Sequence, residues 1–71
     1  MDQERIGKFI AELRKEQKLT QEQFGEKFGV TNKTVSRWET GTYLPPADIL
    51  LMISQLFNVS INEILCGKRL T

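Results

Sequence analysis

Asn32, Lys33, Ser36, Arg37 and Thr40 bring amide, ammonium, hydroxyl and guanidinium groups into one short stretch of the chain. At about 100° per residue they fall on one side of a helix, with Val35 and Trp38 on the other. An amide pairs bidentately with adenine, a guanidinium or ammonium pairs with guanine, and a hydroxyl serves either, so this is the chemistry that reads base edges in a major groove. The same residues also suit a plain solvated face, in which Asn32 and Lys33 only start the helix and Arg37 is a free charge. Bond-making chemistry has no parts here. The chain has no histidine, no glycine-rich phosphate loop and no carboxylate cluster placed for acid–base work, so an enzyme is not expected.

The elements around this stretch can be read from apolar spacing and caps. Ile6, Phe9, Ile10 and Leu13 recur at helical spacing and predict a helix over residues 3–16, with Arg5, Lys8, Glu12, Lys15 and Glu16 on its solvated surface. Thr20 and Gln23 form a capping box, with Leu19 and Phe24 as its hydrophobic staple, so a second helix covers residues 21–28 with Phe24 and Phe28 inward. Gly29 suits the left-handed turn after it. Thr31 then caps a third helix, 32–40, with Val30 and Val35 as staple, and Gly41 stops it.

After Thr42-Tyr43-Leu44-Pro45-Pro46, a rigid connector, a fourth helix is expected to begin with Pro46 as its first residue and run to Phe57. Its apolar arc of Ile49, Leu50, Met52, Ile53, Leu56 and Phe57 is wide enough to suggest the centre of the core. Asn58 ends it. Ser60 and Glu63 make another capping box, stapled by Val59 and Ile64, and a last helix runs over 61–66 to Gly67. Five helices without strand-like alternation imply an all-α fold in a single domain spanning residues 1–71.

Composition narrows the class further. A chain of 71 residues has room for one small core. One cysteine, Cys66, excludes an internal disulfide, and with no histidine a Cys/His zinc site is also excluded. Cys66 reads as a small buried hydrophobe near a helix end. The mixed-charge N-terminus is unlike a signal peptide, and no apolar run approaches the ~20 residues of a membrane span, so a soluble, cytoplasmic protein is expected. Net charge is only +1, so any nucleic-acid binding must come from where the charges sit.

The unit 20–41 has capped helix, tight turn and capped helix without spare residues, the pattern of a helix-turn-helix. Here the chain resembles the Cro and phage-repressor helix-turn-helix family, often called Xre-like. The resemblance rests on Ile6…Leu13-Arg14, Leu19-Thr20-Gln21-Glu22-Gln23-Phe24, Gly29-Val30-Thr31, Val35-Ser36-Arg37-Trp38-Glu39-Thr40-Gly41, Pro46 and Leu56-Phe57-Asn58-Val59-Ser60…Leu65. It implies a compact five-helix, lambda-repressor-like domain whose third helix enters the major groove. By this resemblance Asn32, Lys33, Ser36 and Arg37 read bases. Gln21, Thr31, Thr34, Thr40, Thr42 and Tyr43 contact or support phosphate contacts, and Arg14 and Glu39 form a structural ion pair. Gln21, read from its position alone, serves equally as a phosphate ligand, a partner for a recognition residue, or an exposed glutamine.

The resemblance further implies double-stranded DNA as partner, a palindromic operator, a homodimer joined through residues 61–70, and no cofactor or metal. The expected function is that of a transcriptional regulator, a repressor. A protein-interaction module on the same fold, an antitoxin or adaptor, is the alternative. Trp38, on the Val35 side, is expected in the core rather than as a stacking platform. Two positions depart from the family pattern. Gly25 stands where alanine is usual, at a cost near 1 kcal/mol in helix propensity. The loop Thr42-Tyr43-Leu44 carries no cation, which predicts weak non-specific binding and a shallow salt dependence.

Overall fold

Hydroxyl and carboxylate caps set most of the helix starts. The computed structural model describes residues 1–70, in which α1 is Gln3–Glu16, α2 Gln21–Phe28, α3 Asn32–Glu39, α4 Ala47–Phe57 and α5 Ile61–Cys66. Asp2, Thr20, Thr31 and Ser60 each accept a hydrogen bond from an amide three residues on, and Thr20–Gln23 and Ser60–Glu63 close full capping boxes. Gly29, Asn58 and Gly67 end α2, α4 and α5 in the left-handed conformation. α1 ends through Lys18, at φ 58°, a left-handed residue with no glycine or asparagine to announce it.

The core is built on α1, not on α4. Ile6, Phe9, Ile10 and Leu13 are buried together with Phe24, Phe28, Val35, Trp38, Ile49, Ile53, Val59 and Ile64. α3 and α5 both pack on α1, α2 packs on α3, and α4 touches α5. Phe24 joins α2 to α4 by stacking on Phe57, with ring centroids 5.4 Å apart, while Phe28 meets Trp38 edge-on at 6.5 Å.

Three expectations are corrected. Pro46 is the N-cap of α4 (φ −60°, ψ 162°) rather than its first helical residue. The extended ψ follows from its role as the last residue of the connector, and Ala47 takes the first helical position. The arc on α4 is only partly used: Ile49 and Ile53 are buried and Leu50 and Phe57 half-buried, but Met52 and Leu56 stand exposed, as does Leu51. A five-helix domain this small covers one side of α4, and the residues at the edge of a wide arc stay in solvent. Cys66 is exposed too, because Ile64 and Leu65 take the inward positions of the last turn.

Gly7 marks the tightest crossing. A Cβ there would lie under 3.0 Å from the backbone oxygens of Trp38 and Glu39, so the missing side chain lets α1 touch the end of α3. Gly25 plays the same part at the α2–α3 turn, where a Cβ would press on the carbonyl oxygen of Val30. The propensity lost at Gly25 is therefore offset by a turn that closes more tightly than alanine permits.

The segment after α5 folds back over α1. Arg69 donates two hydrogen bonds to Glu16, at 2.7 and 2.9 Å, and its guanidinium lies 5.8 Å from the centre of the Phe9 ring. The Leu70 amide donates to Glu63. Arg69 holds the Glu16 carboxyl below its ordinary value of 4.5, and the amides of Ser60 and Leu70 do the same for Glu63.

Two outcomes follow. Gly7→Ala should cost about 1–3 kcal/mol of stability by urea denaturation, as overpacking of a rigid backbone contact. Because both carboxyls titrate lower folded than unfolded, their contribution is complete above pH 4.5 and fades as pH falls through the lowered values. The protection of the Leu70 amide, measured against its intrinsic exchange rate at each pH, should therefore fall in that acid window before that of the Ile10 amide in the core.

Candidate nucleic-acid interface

The geometry of the site starts at the turn between α2 and α3. Gly29 (φ 70°, ψ 29°) reverses the chain, the Val30 amide donates back to Gly25, and Thr31 caps α3 at once. Burial of Val35 and Trp38, at 0% and 3% exposure, fixes the rotation of α3 about its axis. With that side pressed into the core, Asn32, Lys33, Arg37 and Thr40 are exposed, and Ser36 and Thr34 are half-buried beside them. Among the described residues no hydrogen bond or ion pair engages the side chains of Asn32, Lys33, Ser36 or Arg37, so their donors remain available to an incoming ligand.

Thr31 and Thr34 share a side-chain contact at the start of α3, and the Thr34 amide donates to Thr31. At the other end, the carbonyl oxygen of Arg37 accepts from the Thr40 hydroxyl and from the amides of Thr42 and Tyr43. The Thr40 and Thr42 hydroxyls also bond each other at 2.9 Å. The loop is thus wound tightly onto the end of α3, with Tyr43 exposed. Thr40, Thr42 and Tyr43 gather at the C-terminal end of α3, and Thr31 and Thr34 at its start, so the structure does not bring the six supporting residues into one cluster.

Behind this face lies a polar knot. Glu39 accepts from Arg14 through both oxygens, at 2.6 and 3.1 Å, and from the Gln21 amide at 3.0 Å. Arg14 also donates to the carbonyl oxygen of Leu19 at 2.8 Å. Arg14 and Glu39 keep only 12% and 8% side-chain exposure, so the pair is largely shielded from water. In the free protein Gln21 takes a role outside those three: its amide donates to Glu39 of the ion pair and so joins the start of α2 to the end of α3. Among the described residues no three histidine, cysteine, aspartate or glutamate side chains gather as metal ligands would.

Sequence reasoning overlooked part of this surface. A groove of about 350 Å³ runs between α1 and α3, lined by Lys8, Ala11, Glu12, Lys15, Gln21, Ser36, Glu39 and Thr40. The four residues from α1 have the spacing of a single helical stripe. They were legible as a stripe, but only docking α1 against α3 turns a solvated face into the wall of a groove beside the outward side of α3.

Residues 10–64 match the family model described as helix-turn-helix. The chain belongs to the helix-turn-helix family. It is similar to the HTH-type transcriptional activator BcrR of Enterococcus faecalis, 39% identical over 86% of this chain and 30% of that protein. It is also similar to the antitoxin PezA of Streptococcus pneumoniae, 41% identical over 83% of this chain and 37% of that one. The HTH-type transcriptional regulator ImmR of Bacillus subtilis is 36% identical over 89% of this chain and 49% of its own length. The chain therefore spans half or less of each of these relatives. No solved structure matches it significantly. The five helices and the Cro-type order of their motifs agree with a lambda-repressor-like fold.

Glu39→Ala should cost about 3 kcal/mol in urea denaturation, the low end for a broken buried pair because both side chains keep slight exposure. The loss should persist in high salt, since shielded charges are screened little. A loss that disappears with added salt would show the pair to be a surface interaction.

Proposed function

We propose that this helix-turn-helix chain is a sequence-specific, double-stranded-DNA-binding transcriptional regulator, with α3 as the helix that enters the major groove. One observation carries the reading: the side of α3 bearing Asn32, Lys33, Ser36 and Arg37 faces out with its hydrogen-bonding groups unengaged, while the opposite side is anchored in the core by Val35 and Trp38. Rigid presentation lowers the entropy lost on binding. In this reading Asn32 and Arg37 are placed for bidentate contacts and Lys33 and Ser36 for single ones. Thr31, Thr34, Thr40, Thr42 and Tyr43 hold the helix ends or reach phosphates. Gln21 at the start of α2 offers its second amide hydrogen to a phosphate while the first stays on Glu39.

Two such domains on a palindrome would place their recognition helices about 34 Å apart in successive major grooves. A homodimer, with residues 61–70 between the subunits, supplies the effective concentration that compensates for a loop lacking cations. Repression needs nothing beyond occupancy of the duplex, and a cytoplasmic setting suits that role. No helix among the described residues is long and apolar enough to cross a membrane.

The second reading is a protein-binding module. It draws support from the relative named an antitoxin and from the exposed Leu51, Met52 and Leu56 on α4. The exposed cationic side of α3 favours DNA instead.

Selection from a randomised duplex pool should return one preferred, palindromic sequence. Arg37→Ala should then weaken binding by about 1–3 kcal/mol and relax preference at one position per half-site, whereas Gln21→Ala should weaken all duplexes alike. A pool that emerges unenriched would rule out sequence-specific reading, and unaltered selectivity in the Arg37 variant would remove that residue from the base-reading set.

A further inference from the structure

The groove between α1 and α3 holds cations that the recognition helix itself does not supply. Lys8, Ala11, Glu12 and Lys15 line it from α1, and Gln21, Ser36, Glu39 and Thr40 line it from the other side. Lys8 and Lys15 are both exposed and stand seven residues apart, about 10 Å along the helix axis. Because a strand winds around the duplex, its neighbouring phosphates are separated by more than the ~3.4 Å axial rise, so the two lysines are spaced for phosphates about one to two steps apart. Ala11, between them, leaves the middle of the groove open.

The charges in the groove are not all positive. Glu39 is one of its walls, but both its oxygens are occupied by Arg14 and Gln21, so little of its charge is left to oppose an anion. Glu12 lies at i+4 from Lys8 and i−3 from Lys15, a spacing from which it can reach either ammonium group, although among the described residues it is ion-paired with neither. The balance in the groove remains cationic. Ser36 belongs to α3 and Thr40 caps its end, so a duplex seated on α3 must bring a strand of its backbone past the same edge. Meanwhile Thr42-Tyr43-Leu44, beyond the end of α3, has no cation to offer that strand.

We propose that Lys8 and Lys15 of α1 form a phosphate-binding edge that grips one strand beside the recognition helix, with Glu12 as an opposing charge that holds the grip below its full strength. This rests on the DNA-binding reading above and extends the contact surface to a helix outside the helix-turn-helix unit. The lysines act on all sequences alike, because phosphates carry no base identity.

The test compares the full chain with Lys8→Gln, Lys15→Gln, Glu12→Gln and, as a charge-matched control, Lys27→Gln at the far end of α2. Each is titrated with the pool-selected duplex and an unrelated duplex across a series of salt concentrations, after thermal unfolding shows that all are folded. Lys8→Gln and Lys15→Gln should each flatten the plot of log affinity against log salt by about 0.9, with the preferred sequence unchanged. Glu12→Gln should tighten binding to both duplexes, and Lys27→Gln should leave the slope at the wild-type value. Wild-type binding with unchanged slopes in both lysine variants, or equal flattening in Lys27→Gln, overturns the phosphate edge while the regulatory reading stands. A wild-type chain that binds neither duplex sinks that reading and the edge with it.

Discussion

The carboxylate of Glu39 is the point on which the rest of the structure depends. It sits at the end of α3 and gathers Arg14 from α1 and Gln21 from α2, while Arg14 reaches on to the Leu19 carbonyl before α2. Three helices are thus registered against one another by a polar contact with fixed geometry. An apolar core alone leaves α3 freer to turn or slide, since hydrophobic contact is non-directional. The knot also disposes of a charge problem. A free glutamate at the end of α3 would set a negative charge beside the cationic side of that helix, and here its charge is turned inward onto Arg14.

The same crossing depends on an absence of atoms. Gly7 lets the backbone of α1 approach the carbonyl oxygens of Trp38 and Glu39, and Gly25 lets the turn close on Val30. Close approach and the polar knot reinforce each other, because the Arg14–Glu39 bonds keep their lengths only if α1 and α3 lie that near. Burial of Trp38 between them then sets which side of α3 faces out. The polar outer side of α3 is a consequence of packing: burial of Val35 and Trp38 fixes the rotation of the helix and so which side chains face out.

Much of this could be read before any coordinates. Helix limits followed from caps, because a threonine or serine three residues before a suitable partner satisfies amides that nothing else nearby can satisfy. The sidedness of α3 followed from periodicity. The misjudged residues share a cause. Met52 and Leu56 lie at the edges of an apolar arc, Cys66 at the end of a short helix and Pro46 at a boundary. In each case hydrophobicity or propensity describes what a residue tolerates, and the neighbours decide what it receives. Lys18 in a left-handed conformation and Gly7 at the crossing left no local signal, since both answer to the distance between elements.

Local sequence by itself therefore determined the five helices, most of their ends, the two-sided character of α3 and the chemical vocabulary of its outer face. Those properties arise from interactions within a few residues, and the chain carries them wherever it folds. Only the tertiary structure decided that Gln21 engages Glu39, that α1 and not α4 supplies the centre of the core, and that Lys8 and Lys15 stand beside Ser36 and Thr40. These depend on how helices far apart in the chain are brought into register, which burial and backbone clearance settle jointly and no single segment encodes.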